Sequence, residues 1–164
     1  MQFVIRNSQF PIPNSQFPIR NSQFLGQETM NSLKGRFPIA VAIGAIFGAL
    51  SRFYITDLAK AMFGKDFGFY GTFFINVTGC LVIAYILTLA TENIRLISPE
   101  LRLMTTTGFC GAYTTFSTYG LEASGFLKKG NITMFLVYFV GSAIAGLIGI
   151  QIGVLLARAC DRQP

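Results

Sequence analysis

The stretch Thr105-Thr106-Thr107-Gly108-Phe109-Cys110-Gly111-Ala112-Tyr113-Thr114-Thr115-Phe116-Ser117-Thr118-Tyr119 decides the fold. It sits inside an apolar run, Leu101–Phe126, that is long enough to cross a bilayer as a helix, which takes roughly 20 residues. Hydroxyl side chains this dense can fold back onto the backbone, and the glycines relax it, so a break in the helix is expected here. A broken helix within a membrane exposes carbonyls that need partners, and such breaks are common ion sites.

Three further apolar runs surround this one: Phe37–Leu58, Tyr70–Ala90 and Ile132–Ala159. The expected architecture is an all-α membrane protein of four transmembrane helices with the third broken. Polar turns at Lys60–Phe69, Thr91–Glu100 and Lys128–Asn131 separate the spans and put both ends of the bundle on one side. Composition agrees. The 164 residues are 52% hydrophobic and 12% charged, against roughly 25% charged in a typical globular chain. Mean hydropathy is +0.53.

The same figures exclude several chemistries. With no histidine, His-ligated haem, most catalytic zinc and copper sites and every Ser-His or Cys-His pair are ruled out. Cys80, Cys110 and Cys160 are odd in number, far apart and set in apolar segments, so they read as small apolar fillers. No enzyme activity is expected. The net charge of +6 is dispersed singly, not massed in the basic stripe that nucleic acid requires.

Basic residues are divided almost evenly between the two sides. Lys34, Arg36, Arg95, Arg102, Arg158 and Arg162 lie on the terminal side, and Lys60, Lys65, Lys128 and Lys129 opposite, with Arg52 at the expected border. Small residues mark packing faces: Gly44 and Gly48 in the first span, and Gly141, Gly146, Gly149 and Gly153 with Ala143 and Ala145 in the fourth. Four thin helices bury little alone, so a homo-oligomer is expected.

The first 29 residues differ from the rest. Asn-Ser-Gln-Phe recurs at Asn7, Asn14 and Asn21, a seven-residue period, and Pro11, Pro13 and Pro18 forbid the coiled coil such a period suggests. The peptide NSQFPIP can be written AAT TCC CAA TTC CCA ATT CCC, which is AATTCCC three times over. A seven-nucleotide repeat must translate with a seven-residue period. Residues 1–29 are therefore expected to be a disordered translated-repeat extension, with Met30 the functional start and 30–164 the four-helix domain. A signal peptide would need an apolar h-region, which is missing, and a proline-rich docking arm is the remaining alternative.

Three stretches, taken together, resemble the CrcB/Fluc family of bacterial fluoride channels over about Phe37 to Ala159. They are Gly44-Ala45-Ile46-Phe47-Gly48-Ala49-Leu50-Ser51-Arg52-Phe53, Gly71-Thr72-Phe73-Phe74-Ile75-Asn76-Val77-Thr78-Gly79, and Gly108 through Tyr119. The resemblance implies passive, selective fluoride export from the cytoplasm across the bacterial inner membrane. It also implies a dual-topology homodimer: two antiparallel copies, two fluoride pores and one central sodium ion.

It further implies roles for particular residues. Asn76 would face the pore with amide donors, the alternative being a helix–helix hydrogen bond. Phe116 would present the positive edge of its ring to the anion, with Tyr119 at the companion position, where phenylalanine is common and the hydroxyl would alter polarity or width. Ser117, Thr115 and Thr118 would offer hydroxyls along the path, or cap the broken helix. Tyr138 and Ser142, four apart on one helix face, would form a polar track, Tyr138 otherwise being an interfacial residue. Arg52 would attract anions at the vestibule or snorkel to the border. Glu122 would line the pore mouth or be a solvated acid. Gly111 and Thr114 would offer backbone carbonyls to sodium, glycine suiting an unusual backbone.

Two rivals differ in class. A small multidrug/proton antiporter also uses four short helices but needs a buried acid in the first, and Phe37–Tyr54 contains none. An accessory subunit would need no ordered set of Asn, Thr and Phe motifs. A nucleotide-driven pump would need G-x-x-x-x-G-K-[ST], which does not occur.

Overall fold

The computed structural model describes residues 35–92 and 97–160. The expected extension at 1–29, Met30, and Lys34, Arg95 and Arg162 of the charge comparison lie outside the described residues. Among the described residues there is no strand. The order is α1 (Arg36–Phe63), a single 3-10 turn (Lys65–Phe67), α2 (Phe69–Thr91), α3 (Pro99–Leu103), a π-helical stretch (Met104–Cys110), α4 (Gly111–Tyr113), α5 (Phe116–Lys128) and α6 (Ile132–Ala159).

Helices α1, α2 and α6 are each long and apolar enough to cross a membrane. The third expected span is interrupted where its sequence foretold, between α4 and α5. The first is longer than its apolar run: α1 continues past Leu58 through Ala59, Lys60, Ala61 and Met62, all good helix formers, and stops at Gly64. That glycine has φ of +101°, a conformation that L side chains rarely adopt. Two caps fix later helix starts. Ser98 Oγ accepts from Leu101 N–H at 3.2 Å, ahead of Pro99, and Asn131 Oδ1 accepts from Met134 N–H at 3.0 Å.

Sequential helices are not the closest pairs. Gly44 abuts the carbonyl of Met104, and Gly48 abuts that of Phe109, so α1 runs parallel to the first half of the third span. On the other side, a Cβ on Gly149 would lie 2.9 Å from the Val77 carbonyl oxygen, and Gly153 abuts the Leu81 carbonyl, so α6 runs parallel to α2. Hydrocarbon provides no hydrophobic drive between helices, so close packing of backbones must supply the attraction. Gly141, grouped with these glycines by sequence, has open space around it. The outer surface is correspondingly apolar, with Phe47, Phe53, Leu121 and Leu155 all exposed.

Where α2 and α6 end, Arg158 donates to Glu92 through Nε at 3.1 Å and Nη2 at 2.6 Å. The hydrogen bond from Arg158, and secondly its charge, hold the Glu92 carboxyl below its ordinary value of 4.5. A carboxyl lowered in the native state contributes stability above its unfolded value and loses it as pH falls through the native one. Thermal melts of the detergent-solubilised protein should therefore drop more steeply below pH 4.5 in the wild type than in Glu92→Gln. In the same assay Gly44→Ala should destabilise by about 1–3 kcal/mol, as overpacking does, while Gly141→Ala should be neutral.

Candidate functional site

The break has a specific builder. Thr105 and Thr106 each return a hydroxyl to a carbonyl one turn back, at 2.8 Å to Leu101 and 2.8 Å to Arg102, and Thr114 does the same to Cys110 at 2.9 Å. The chain then leaves the helix: Thr114 has ψ of 157°, and Thr115 has φ of −149° and ψ of 115°. Asn76, on α2, pairs with both backbone groups of Thr115. Its Oδ1 accepts from Thr115 N–H at 2.9 Å, and its Nδ2 donates to Thr115 C=O at 3.2 Å. One hydrogen of Nδ2 is thereby used, and the other is left for the cavity beside it.

Thr115 also caps α5. Its Oγ1 accepts from Thr118 N–H at 3.2 Å, donates to Thr118 Oγ1 at 3.0 Å and lies 3.3 Å from Ser117 Oγ. The capping role falls to Thr115, and the Thr118 hydroxyl accepts from it. The two amides diverted here are the ones that an unbroken helix would give to Gly111 and Thr114, since residue i+4 donates to residue i. Thr115 N–H goes to Asn76, and Thr118 N–H goes to the Thr115 side chain. The carbonyls of Gly111 and Thr114 thus lose their regular helical donors, which fits them to a hard cation such as sodium. One reason offered for the glycine is corrected: Gly111 has ordinary helical angles, φ −63° and ψ −34°. What glycine does here is keep the face clear, for a Cβ would meet nothing within 4 Å.

A cavity of about 560 Å³ adjoins the break, and Asn76, Gly111, Thr114, Phe116, Tyr119 and Ser142 all line it. The Ser142 hydroxyl is buried and has no hydrogen-bond partner among the described residues. Phe116 is 80% exposed, its ring turned out from the subunit, whereas Tyr119, one turn on, is 8% exposed. The Tyr119 hydroxyl donates to the Phe139 carbonyl at 2.6 Å, and its ring stacks on Phe139 at 5.4 Å. The hydroxyl proton is therefore engaged by α6.

A second cleft, of about 520 Å³, lies across Thr115 and is lined by Arg52, Asp57, Lys60, Ser117 and Thr118. Arg52 stands eleven residues before the end of α1, about 16 Å along its axis. It lines the cleft well inside the helix, because α1 extends past its apolar run. Tyr138 is set apart from both cavities. It is 5% exposed in an aromatic cluster with Tyr119, Phe69 and Phe126, so its ring faces the interior of the subunit. Its hydroxyl donates to Glu122 Oε2 at 2.7 Å, and Thr72 Oγ1 donates to Oε1 of the same carboxylate at 3.0 Å. Glu122 is thus a held acid at a third cleft, of about 270 Å³, beside Lys60, Lys65 and Lys129. Thr72 and Lys60 were not singled out from sequence. Thr72 stands in the G-T of the second motif, which was the available signal.

The comparisons with known proteins agree with this geometry. The family model described as CrcB-like protein, Camphor Resistance (CrcB) matches residues 39–154. The protein named fluoride-specific ion channel FluC of Trichormus variabilis is 50% identical over 127 residues, 77% of this chain and 92% of that one. The proteins of the same name from Synechocystis sp. and Chloroflexus aurantiacus are each 45% identical, over 75% and 73% of this chain and 93% and 94% of theirs. With the helix break, the Asn76 pairing and the flanking cavities in place, this chain belongs to the CrcB family.

Proposed function

We propose that the chain is a passive fluoride-selective channel that releases cytoplasmic fluoride and so confers resistance to it. The observation that carries this reading is the cavity beside the break, where Asn76, Phe116 and Ser142 meet in a chain close to named fluoride channels. Fluoride is small and strongly hydrated, so a path must replace its water with fixed donors. The second Nδ2 hydrogen of Asn76 and the unpartnered hydroxyl of Ser142 are such donors. The ring edge of Phe116 adds a weakly positive rim that bare hydrocarbon would lack. Hydrogen fluoride crosses membranes as a neutral acid and dissociates in the more alkaline cytoplasm; a channel then lets the trapped anion leave down its gradient without a nucleotide.

The working unit in this reading is an antiparallel homodimer in the bacterial inner membrane. A second copy would cover Phe116 and close the side of the cavity that one subunit leaves open. Gly111 and Thr114 of two copies would give four carbonyl oxygens to a central sodium. Bound there, sodium supplies the positive charge that backbone oxygens without helical donors require. The antiporter alternative has little support: Asp57 is the single acid of α1, and it is exposed in the cleft that Arg52 and Lys60 share.

Liposomes carrying the purified protein should release fluoride far faster than chloride, read with ion-selective electrodes. Equal release of both, or of neither, would overturn the reading. Phe116→Ile should abolish flux yet leave the melting temperature within error, because the ring is exposed in the subunit. Asn76→Ala should lose both. It strips partners from Thr115 N–H and C=O, at about 1–3 kcal/mol for each buried group left unpaired.

A further inference from the structure

Lys60 stands where two clefts meet. It lines the cleft that reaches Thr115, Ser117 and Thr118, and also the smaller one beside Glu122 and Gly125. Thr115 in turn lines both larger cavities, so a single shared residue separates the Lys60 cleft from the cavity holding Asn76. The side chain runs over Gly68. A Cβ on Gly68 would lie 2.9 Å from Lys60 Cε and 3.4 Å from its Cγ, so the stem crosses the glycine on its way to the cleft. Among the described residues the ion pairs are Arg36 with Glu100 and Arg158 with Glu92, and Lys60 belongs to neither.

The surrounding charge favours an anion. Arg52 and Lys60 face Asp57 in the first cleft, two basic residues against one acidic. Lys60, Lys65 and Lys129 face Asp66 and Glu122 in the second, three against two, and both oxygens of Glu122 already accept from hydroxyls. A cleft lined by one prevailing sign, with low-dielectric walls, raises the local concentration of counter-ions.

We infer that Lys60 is an entrance cation of the anion path: seated over Gly68 between the two clefts, its ammonium gathers fluoride where the path meets Thr115. This role rests on the channel reading. The competing explanation is that a lysine in the last turn of α1 merely complements the helix dipole, which would leave conduction untouched.

The test compares fluoride efflux per channel from liposomes holding the wild type, Lys60→Gln, Lys60→Arg and Lys128→Gln. Lys128 ends α5 on the same side and lines neither cleft. Ionic strength is set with an impermeant salt to about 0.01 M, where charges act over about 30 Å, and to about 1 M, where they act over about 3 Å. Lys60→Gln should cut efflux about three- to ten-fold at the low strength and less than about 1.5-fold at the high one, as steering requires. Lys60→Arg and Lys128→Gln should match the wild type at both. A Lys60→Gln that behaves like Lys128→Gln, or that loses the same fraction at both strengths, overturns the inference while the wild type still conducts fluoride. A wild type without selective fluoride efflux overturns the channel reading, and this role with it.

Discussion

A helix that stops inside hydrocarbon leaves polar backbone groups with no water to bond, and each one costs several kcal/mol if nothing else accepts or donates. Asn76 answers that demand at Thr115. Its side-chain amide presents one donor and one acceptor, the same pair that a peptide unit presents, and it engages both backbone groups of Thr115 at 2.9 and 3.2 Å. Alanine or leucine at this place could do neither. The pairing ties α2 to the third span and holds α4 and α5 in their offset. It also fixes the orientation of the Asn76 amide, so that whatever its remaining hydrogen serves is served from a rigid position.

The same rearrangement explains why a few unspent polar groups collect on one open, largely apolar side of the subunit. Amides diverted to Asn76 and to the Thr115 hydroxyl no longer reach the carbonyls of Gly111 and Thr114. Those residues line one cavity together with the unpartnered hydroxyl of Ser142 and the outward ring of Phe116. Gly44 and Gly48 of α1 are meanwhile spent against the start of the third span, and Gly149 and Gly153 of α6 against α2. The groups left unsatisfied gather where the chain has no helix left to offer. A second copy of the chain, in the proposed dimer, is what that face would receive.

How far the sequence could be read depended on the range over which each feature is determined. The break was legible because its causes are local: hydroxyls return to carbonyls three or four residues back, and a run of Thr and Gly announces them. The full extent of α1 was not legible from hydropathy, which ends at Leu58 while helix propensity runs on to Gly64. Asn76 was recognised as a polar group worth explaining, but its pairing spans 39 residues and no periodicity encodes it. Tyr138 likewise read as a track or surface residue. Its bond to Glu122 and its aromatic neighbours depend on α2, α5 and α6 converging, which only the folded chain shows.

Tyr119 and Phe116 are neighbours on one helix with opposite surroundings. Phe116 and Tyr119 are three apart on α5, with ring centroids 5.9 Å from each other, yet one ring is exposed and the other buried. The buried ring does its work by stacking on Phe139, an interaction that phenylalanine would supply equally. The hydroxyl adds a bond to the carbonyl of Phe139, which lies in the interior of α6, where the amide four residues on is in place to donate to it. Removing the hydroxyl would therefore leave no orphaned acceptor, and the asymmetry that makes buried polar deletions expensive does not apply. Tyrosine here is an additional tie between α5 and α6. It steadies the helix that carries Phe116 without changing what Phe116 faces.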